Sequence, residues 1–217
     1  MHTLIISGGT IDTDFALDLL KKEKYDHIIG VDGALKFCKE QNIVPTRIVG
    51  DFDTLDPEIL TWYQTNTQIE IRQFNPVKDA TDTQIAIELA MELGSRKITL
   101  VGGTGTRLDH VLGNIQTLYL PFAKGIDCRI VDAHNRIRLV SGELHLKMAE
   151  QWGKYVSLIP FTTDVEGVDL IGFKYPLEKF NFTVLGTGSR GVSNEIAEEE
   201  AVIRIEKGIM ILVESKD

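Results

Sequence analysis

Lys97-Ile98-Thr99-Leu100-Val101-Gly102-Gly103-Thr104-Gly105-Thr106-Arg107-Leu108-Asp109-His110 is the stretch on which the fold turns. A short, largely apolar run is followed by a glycine-rich loop and then by a helix. That is the order of a strand in a parallel sheet covered by helices on both faces. The same order recurs upstream. Residues 3–7, 27–31, 47–49, 68–74 and 128–131 also read as strands, several of them apolar on both faces. Helix punctuation falls between them. Asp56-Pro57-Glu58 supplies an N-cap, a proline at the first helical position and an acid in the first turn. Thr81-Asp82-Thr83-Gln84 has capping-box spacing, and Gly94 ends the helix it opens. Repeated β-α units of this kind predict an α/β domain with right-handed crossovers over residues 1–134.

From about residue 135 the texture changes. Residues 136–140, 144–146, 155–160, 168–171, 183–185, 202–206 and 210–214 are short alternating runs between turn residues. Lys207-Gly208 between two such runs reads as a hairpin, and only 193–201 has room for a helix. Residues 135–217 therefore predict a small antiparallel sandwich or barrel.

The 217 residues are 43% hydrophobic and 25% charged, which is the composition of a folded globular protein. A net charge of −9 argues against nucleic acid held on a broad basic surface. It does not oppose a small phosphate ligand that arrives with a metal cation. Seven of the acids, against two bases, fall between Asp51 and Asp82. Cys38 and Cys128 fit no metal-ligand spacing and read as buried thiols in a reducing cytosol. The first residues carry no basic, then apolar, leader pattern, and the longest uncharged run, 110–123, contains Asn, Gln, Thr and Pro. The expectation is a cytoplasmic protein that does not enter a membrane.

Three loops at strand ends carry candidate chemistry, and ligands of open α/β sheets bind outside those ends. Gly50-Asp51-Phe52-Asp53-Thr54 follows the 47–49 strand. Residues two apart on an extended chain point the same way, so Asp51 and Asp53 are expected to face one ion. Their hard oxygens suit Mg²⁺. Read alone, the pair is equally a polar loop that caps a helix. Lys78-Asp79-Ala80-Thr81-Asp82 opens a helix whose free N–H groups favour an anion, with Lys78 adding charge and Asp79 or Asp82 offering a metal ligand. The plainer reading is a dipole-complementing cap beside a solvated lysine. In the 102–110 loop the glycines permit close approach, and Arg107 offers a fork of donors to phosphate. The alternative there is a tight turn with a local Arg107–Asp109 pair. Gly186-Thr187-Gly188-Ser189-Arg190-Gly191 matches a dinucleotide fingerprint literally, but the chain beyond Gly191 is too short to hold a βαβ unit. It reads as a sandwich loop presenting Ser193, Asn194 and Glu195.

In this order, Val31-Asp32-Gly33-Ala34, the 50–54 loop, the 78–82 loop, the 102–110 loop followed by Asn114, and Gly191-Val192-Ser193-Asn194-Glu195 resemble the signatures of the thiamine pyrophosphokinase family over essentially the whole chain. The resemblance implies a Rossmann-like α/β domain followed by a β-sandwich. It also implies transfer of a diphosphoryl group from ATP to the hydroxyl of thiamine, with Mg²⁺, giving AMP and thiamine diphosphate. Asp51, Asp53 and Asp82 resemble the family's metal and catalytic carboxylates, with Arg107 beside them, and Asp79 and Asp82 its substrate positions. Asp32, Gly33, Lys78, Gly102, Gly103, Thr104, Gly105, Thr106, Arg107, Asp109, His110 and Asn114 match its nucleotide loops. Ser193 and Asn194 match the segment that contacts the thiamine pyrimidine. The resemblance further implies a homodimer with the active site between subunits.

Two positions depart from the family pattern. Ala34 and Thr106 stand where glycine is common, and a left-handed backbone at Thr106 would be strained. No aromatic residue follows Phe182, which leaves Trp152 as the candidate to stack on the thiazolium. Rival readings are a diphosphokinase for a reduced pterin, a thiamine- or nucleotide-sensing module, and an aspartyl phosphatase. The last needs Thr or Val where Leu55 stands.

Overall fold

A computed structural model describes residues 1–53, 55–75 and 79–217. Thr54 and the 76–78 segment, which includes the candidate Lys78, lie outside the described residues. The chain divides into two compact units, Met1–Ala133 and His134–Asp217.

The first unit alternates strand and helix: β1 (His2–Ile6), α1 (Thr13–Lys22), β2 (His27–Val31), α2 (Ala34–Glu40), β3 (Arg47–Gly50), α3 (Pro57–Asn66), β4 (Glu70–Gln73), α4 (Asp82–Glu92), β5 (Lys97–Val101), α5 (Leu108–Thr117), α6 (Tyr119–Phe122) and β6 (Asp127–Val131). The strands pair in parallel in the order β6-β5-β1-β2-β3-β4. Leu4, Ile5, Ile6, Ile98 and Leu100 are at most 2% exposed, so the central strands are covered on both faces. Helix ends follow the sequence punctuation. Asp56 accepts from the Glu58 N–H with Pro57 in the first turn, and Thr81 accepts from the Gln84 N–H. Caps of this kind each contribute about 1 kcal/mol. Gly94 leaves α4 with φ +82°, a conformation without penalty for glycine. The chain steps outward from β1 to β4, then returns through α4 to place β5 on the other side of β1. The strand order therefore reverses between β1 and β5, where sheets of this type bind ligands. Cys38 and Cys128 are buried free thiols, and burial pushes Cys38 up to about 12.

The second unit is antiparallel: β7 (Asn135–Lys147), β8 (Tyr155–Pro160), β9 (Asp164–Ile171), β10 (Leu177–Thr183), β11 (Asn194–Glu195) and β12 (Glu200–Ser215). Several sequence expectations need correction here. Residues 136–140 and 144–146 form one strand, as do 202–206 and 210–214. Lys207-Gly208 is not a hairpin. It lies in a register shift between Ile205 and Met210, with Gly208 at φ +102°. The buried positions switch there from Ala201, Ile203 and Ile205 to Met210, Leu212 and Glu214. A bulge that re-phases one strand produces the same alternating, interrupted pattern as two strands joined by a turn. Because of it, β12 pairs with β9 through its first half and β8 through its second, while β7 accompanies it on the other edge. The two halves enclose one core that includes Val156, Leu158, Val165, Val168, Phe182, Ile203, Met210 and Leu212. The 193–201 segment holds the two-residue β11 and the start of β12 rather than a helix, and the 183–185 strand lies earlier, ending at Thr183.

Candidate active site

A cavity of about 560 Å³ opens at the C-terminal ends of the first unit's strands. Its wall is built from Ser7, Gly8, Gly9 and Thr10 after β1, Val31 and Asp32 at the end of β2, and Asp51 after β3. Residues 80–83 at the start of α4, the 102–107 loop, and His110, Val111 and Asn114 of α5 complete it. Three sequence-derived loops thus meet in one concavity. Gly33, Asp53, Asp79 and Asp109 lie close in sequence to wall residues but are not in the wall themselves.

The β1 loop also belongs to the site, and Gly8-Gly9 directly after an apolar strand is its signal in the sequence. It forms the cavity floor together with the β5 loop. The Ser7 N–H donates to the Val101 carbonyl, the Gly9 N–H to Gly102 and the Thr10 N–H to Thr104, each at 2.9 Å. The two loops approach so closely that a Cβ at Gly9 would overlap the Thr104 and Gly102 carbonyls. A Cβ at Gly102, already at φ +70°, would overlap the Ser7 carbonyl. Thr106 has no left-handed backbone, so threonine fits the loop without that strain. Asn114, 7% exposed, donates its amide N–H to the Gly103 carbonyl at 2.8 Å and braces the loop from below. The Thr104 hydroxyl donates to Asp132 at 2.8 Å. Across the cavity, the buried hydroxyls of Ser7 and Thr83 lie 2.7 Å apart and tie β1 to the start of α4.

Asp32, Asp51 and Asp53 bring carboxylate oxygens within 4.8 Å of one another. They converge differently from the extended geometry expected of Asp51 and Asp53. Phe52 between them is left-handed, at φ 61°, and the Asp53 N–H turns back to Asp51 Oδ1 at 3.3 Å. Asp32, also left-handed at φ 42°, joins from the adjacent strand, its N–H donating to the Val49 carbonyl. Three hard carboxylates from two neighbouring strand ends fit a divalent cation of the Mg²⁺ class. Asp82 lies in the wall of the same cavity but outside this group of three.

Arg107 holds Asp109 through both carboxylate oxygens, at 2.6 and 3.2 Å, with both side chains about two-thirds exposed. The guanidinium lowers the Asp109 pKa and the carboxylate raises that of Arg107. The local pair is therefore present; it uses Nε and Nη2 of Arg107, and an arginine carries five N–H donors in all.

Ser193 and Asn194 belong to the second unit. Asn194 is buried, and both ends of its amide are engaged. The oxygen accepts from the Tyr175 and Glu195 N–H groups, and the nitrogen donates to the Tyr175 carbonyl. Ser193 is exposed at φ 59°, its N–H donating to the Ser157 hydroxyl. Glu195 is paired with Lys174, which lowers its pKa. The Trp152 ring carries the Arg136 guanidinium 5.4 Å from its centroid, so a cation already occupies that face.

Comparison with known proteins identifies the family. Residues 16–130 match the family model described as thiamin pyrophosphokinase, catalytic domain, and residues 142–210 the one described as thiamin pyrophosphokinase, vitamin B1 binding domain. The curated thiamine pyrophosphokinase of Bacillus subtilis (strain 168) is 34% identical over 195 residues, 87% of each chain. A crystal structure of the thiamine pyrophosphokinase from Bacillus subtilis superposes over the whole of both chains with TM-score 0.86 at 30% identity. The one from Geobacillus thermodenitrificans superposes with TM-score 0.85 at 31% identity, over all of this chain and 98% of its own. The chain belongs to the thiamine pyrophosphokinase family.

Proposed function

We propose that this chain is a thiamine pyrophosphokinase that transfers the terminal diphosphoryl group of ATP to the hydroxyl of thiamine, releasing AMP and thiamine diphosphate. The observation that carries the reading is one cavity at the switch point of the sheet, walled by two glycine-lined loops and by Asp32 and Asp51, whose carboxylates cluster with that of Asp53. Asp32, Asp51 and Asp53 would hold Mg²⁺, which would supply charge neutralisation and alignment of the phosphates.

The chain's own groups do the remainder. Gly9, Gly102, Gly103 and Gly105 let backbone approach the nucleotide. Arg107, at the rim of the 102–107 loop, takes up charge that moves toward the α-phosphate as AMP departs. Asp82, at the first position of α4, stands on the cavity wall as the carboxylate for the attacking hydroxyl. Positioning of this kind supplies most of the acceleration in such transfers.

The reading extends to a cytoplasmic homodimer in which Ser193 and Asn194 of a second copy meet thiamine. Support comes from Leu108, Leu112 and Tyr119, an exposed apolar row along α5 and α6 that a second copy would cover. Sedimentation analysis tests the assembly. Incubation with Mg-ATP and thiamine tests the reaction: equimolar AMP and thiamine diphosphate are expected. ADP with thiamine monophosphate refutes the reading.

A further inference from the structure

We infer that Phe52 is a positioning residue for the carboxylate cluster: its buried ring, seated beside Gly50 and Asp32, holds the left-handed turn that brings Asp51 and Asp53 to Asp32. The inference deepens the metal reading above and rests on it.

Left-handed backbone is tolerated by Asn and Asp but is an outlier for a bulky aromatic residue. Outside glycine, the described residues with positive φ are Asp32, Asn42, Phe52, Lys179 and Ser193, and Phe52 is the aromatic one. Such a conformation persists only where the surroundings over-determine it. Here they do. The ring is 8% exposed and packs in a cluster with Leu35, Ile48, Leu55 and Tyr63. Its other edge lies over Gly50, on the side where Asp32 also approaches that glycine. A Cβ built on Gly50 would lie 2.9 Å from Phe52 Cε1 and 3.1 Å from Asp32 Cβ. Only glycine at position 50 therefore leaves room for the ring and the Asp32 side chain together.

One side chain thus joins the core under α3 to the metal-binding turn. Burying the ring favours the left-handed angle, and that angle fixes where the flanking carboxylates point. Phe52 has no ligand atom of its own. Its effect is on how well three ligands are pre-arranged, and so on metal affinity.

The test is Mn²⁺ binding to the whole chain, read from the electron paramagnetic resonance signal of the free ion. Wild type, Asp53→Asn, Phe52→Gly, Phe52→Leu and Gly50→Ala are compared. Asp53→Asn is expected to lose binding relative to wild type. Phe52→Gly relieves the backbone angle but removes the anchor, and its dissociation constant is expected to rise at least tenfold, equivalent to about 1.4 kcal/mol. Phe52→Leu keeps an apolar anchor and is expected to recover most of the affinity, a rescue that a general loss of stability does not produce. Wild-type affinity in Phe52→Gly overturns the positioning role while leaving the metal reading intact. Equal binding by wild type and Asp53→Asn, or none by wild type, overturns both. Should Phe52→Gly fail to fold, Gly50→Ala decides: a tenfold loss supports the role and unchanged affinity overturns it.

Discussion

Removing both hydroxyls of the Ser7–Thr83 pair should cost less than the sum of removing each alone. The two oxygens are 2.7 Å apart, and the residues are 5% and 8% exposed. Ser7→Ala leaves the Thr83 hydroxyl buried without this partner, and a buried hydroxyl so stranded costs about 1–3 kcal/mol. Thr83→Val, close to isosteric, strands the Ser7 hydroxyl at a similar cost. The double variant strands neither, so its loss should fall short of the sum by about 1 kcal/mol or more. The assay is urea unfolding, but two units within one chain need not unfold together. The two tryptophans resolve this: Trp62 belongs to the first unit and Trp152 to the second. In a Trp152→Phe background, fluorescence reports only Trp62, which packs against the core under α3. Additivity to within about 0.3–0.5 kcal/mol would refute the view that this hydrogen bond joins β1 to α4.

Asp53→Asn should lower kcat by at least about a hundredfold, as expected when a metal ligand is lost, while the unfolding transition stays cooperative; steady-state AMP release and calorimetry check the two halves. Arg136→Ala should destabilise the second unit by about 3–5 kcal/mol, because Glu214 is 1% exposed and would remain as an unpaired buried carboxylate. Trp152 fluorescence follows that loss directly, since the Arg136 guanidinium lies over its ring. His2 gives a pH dependence. Burial first, and then Lys97, lower its pKa below the ordinary 6.5. The unfolded chain therefore binds the proton more readily. The contribution of neutral His2 is complete above about pH 6.5 and is lost as the pH falls toward the lowered folded value. Melting temperatures at pH 7.5 and 5.5 should differ more for wild type than for His2→Gln; equal differences would refute the assignment.

Much of the first unit could be read directly from the residues. Strands such as Leu4-Ile5-Ile6 are apolar on both faces, and the caps at Asp56 and Thr81 mark helix starts by local chemistry alone. The candidate loops at Asp51 and Gly102 were legible because charged or glycine-rich residues follow apolar strands, and the Asp82 loop because Thr81 caps the helix it opens. What escaped were features that depend on a distant partner. Gly8-Gly9 matter because Gly102 lies against them, some ninety residues away. Asp32 reaches Asp51 and Asp53 only once β2 and β3 are paired, and the Phe52 turn needs Gly50 and the α3 core around it. The interrupted alternation at Lys207-Gly208 fits either a hairpin or a bulge locally, and only pairing with β7 along both halves distinguishes them.

The double membership of β12 also sets an order of assembly during synthesis. β7, β8 and β9 each take β12 as a pairing partner, and β12 comes after all of them in the chain. The second unit cannot close its core until that strand has left the ribosome. By then the first unit has had every strand it needs since Val131. Nascent β7–β10 meanwhile expose unpaired edges and apolar faces, with native contacts of long sequence separation still to form. During synthesis, closure of the second unit is therefore expected to trail that of the first until residues 200–215 are free to pair, and exposed edges of that kind favour aggregation.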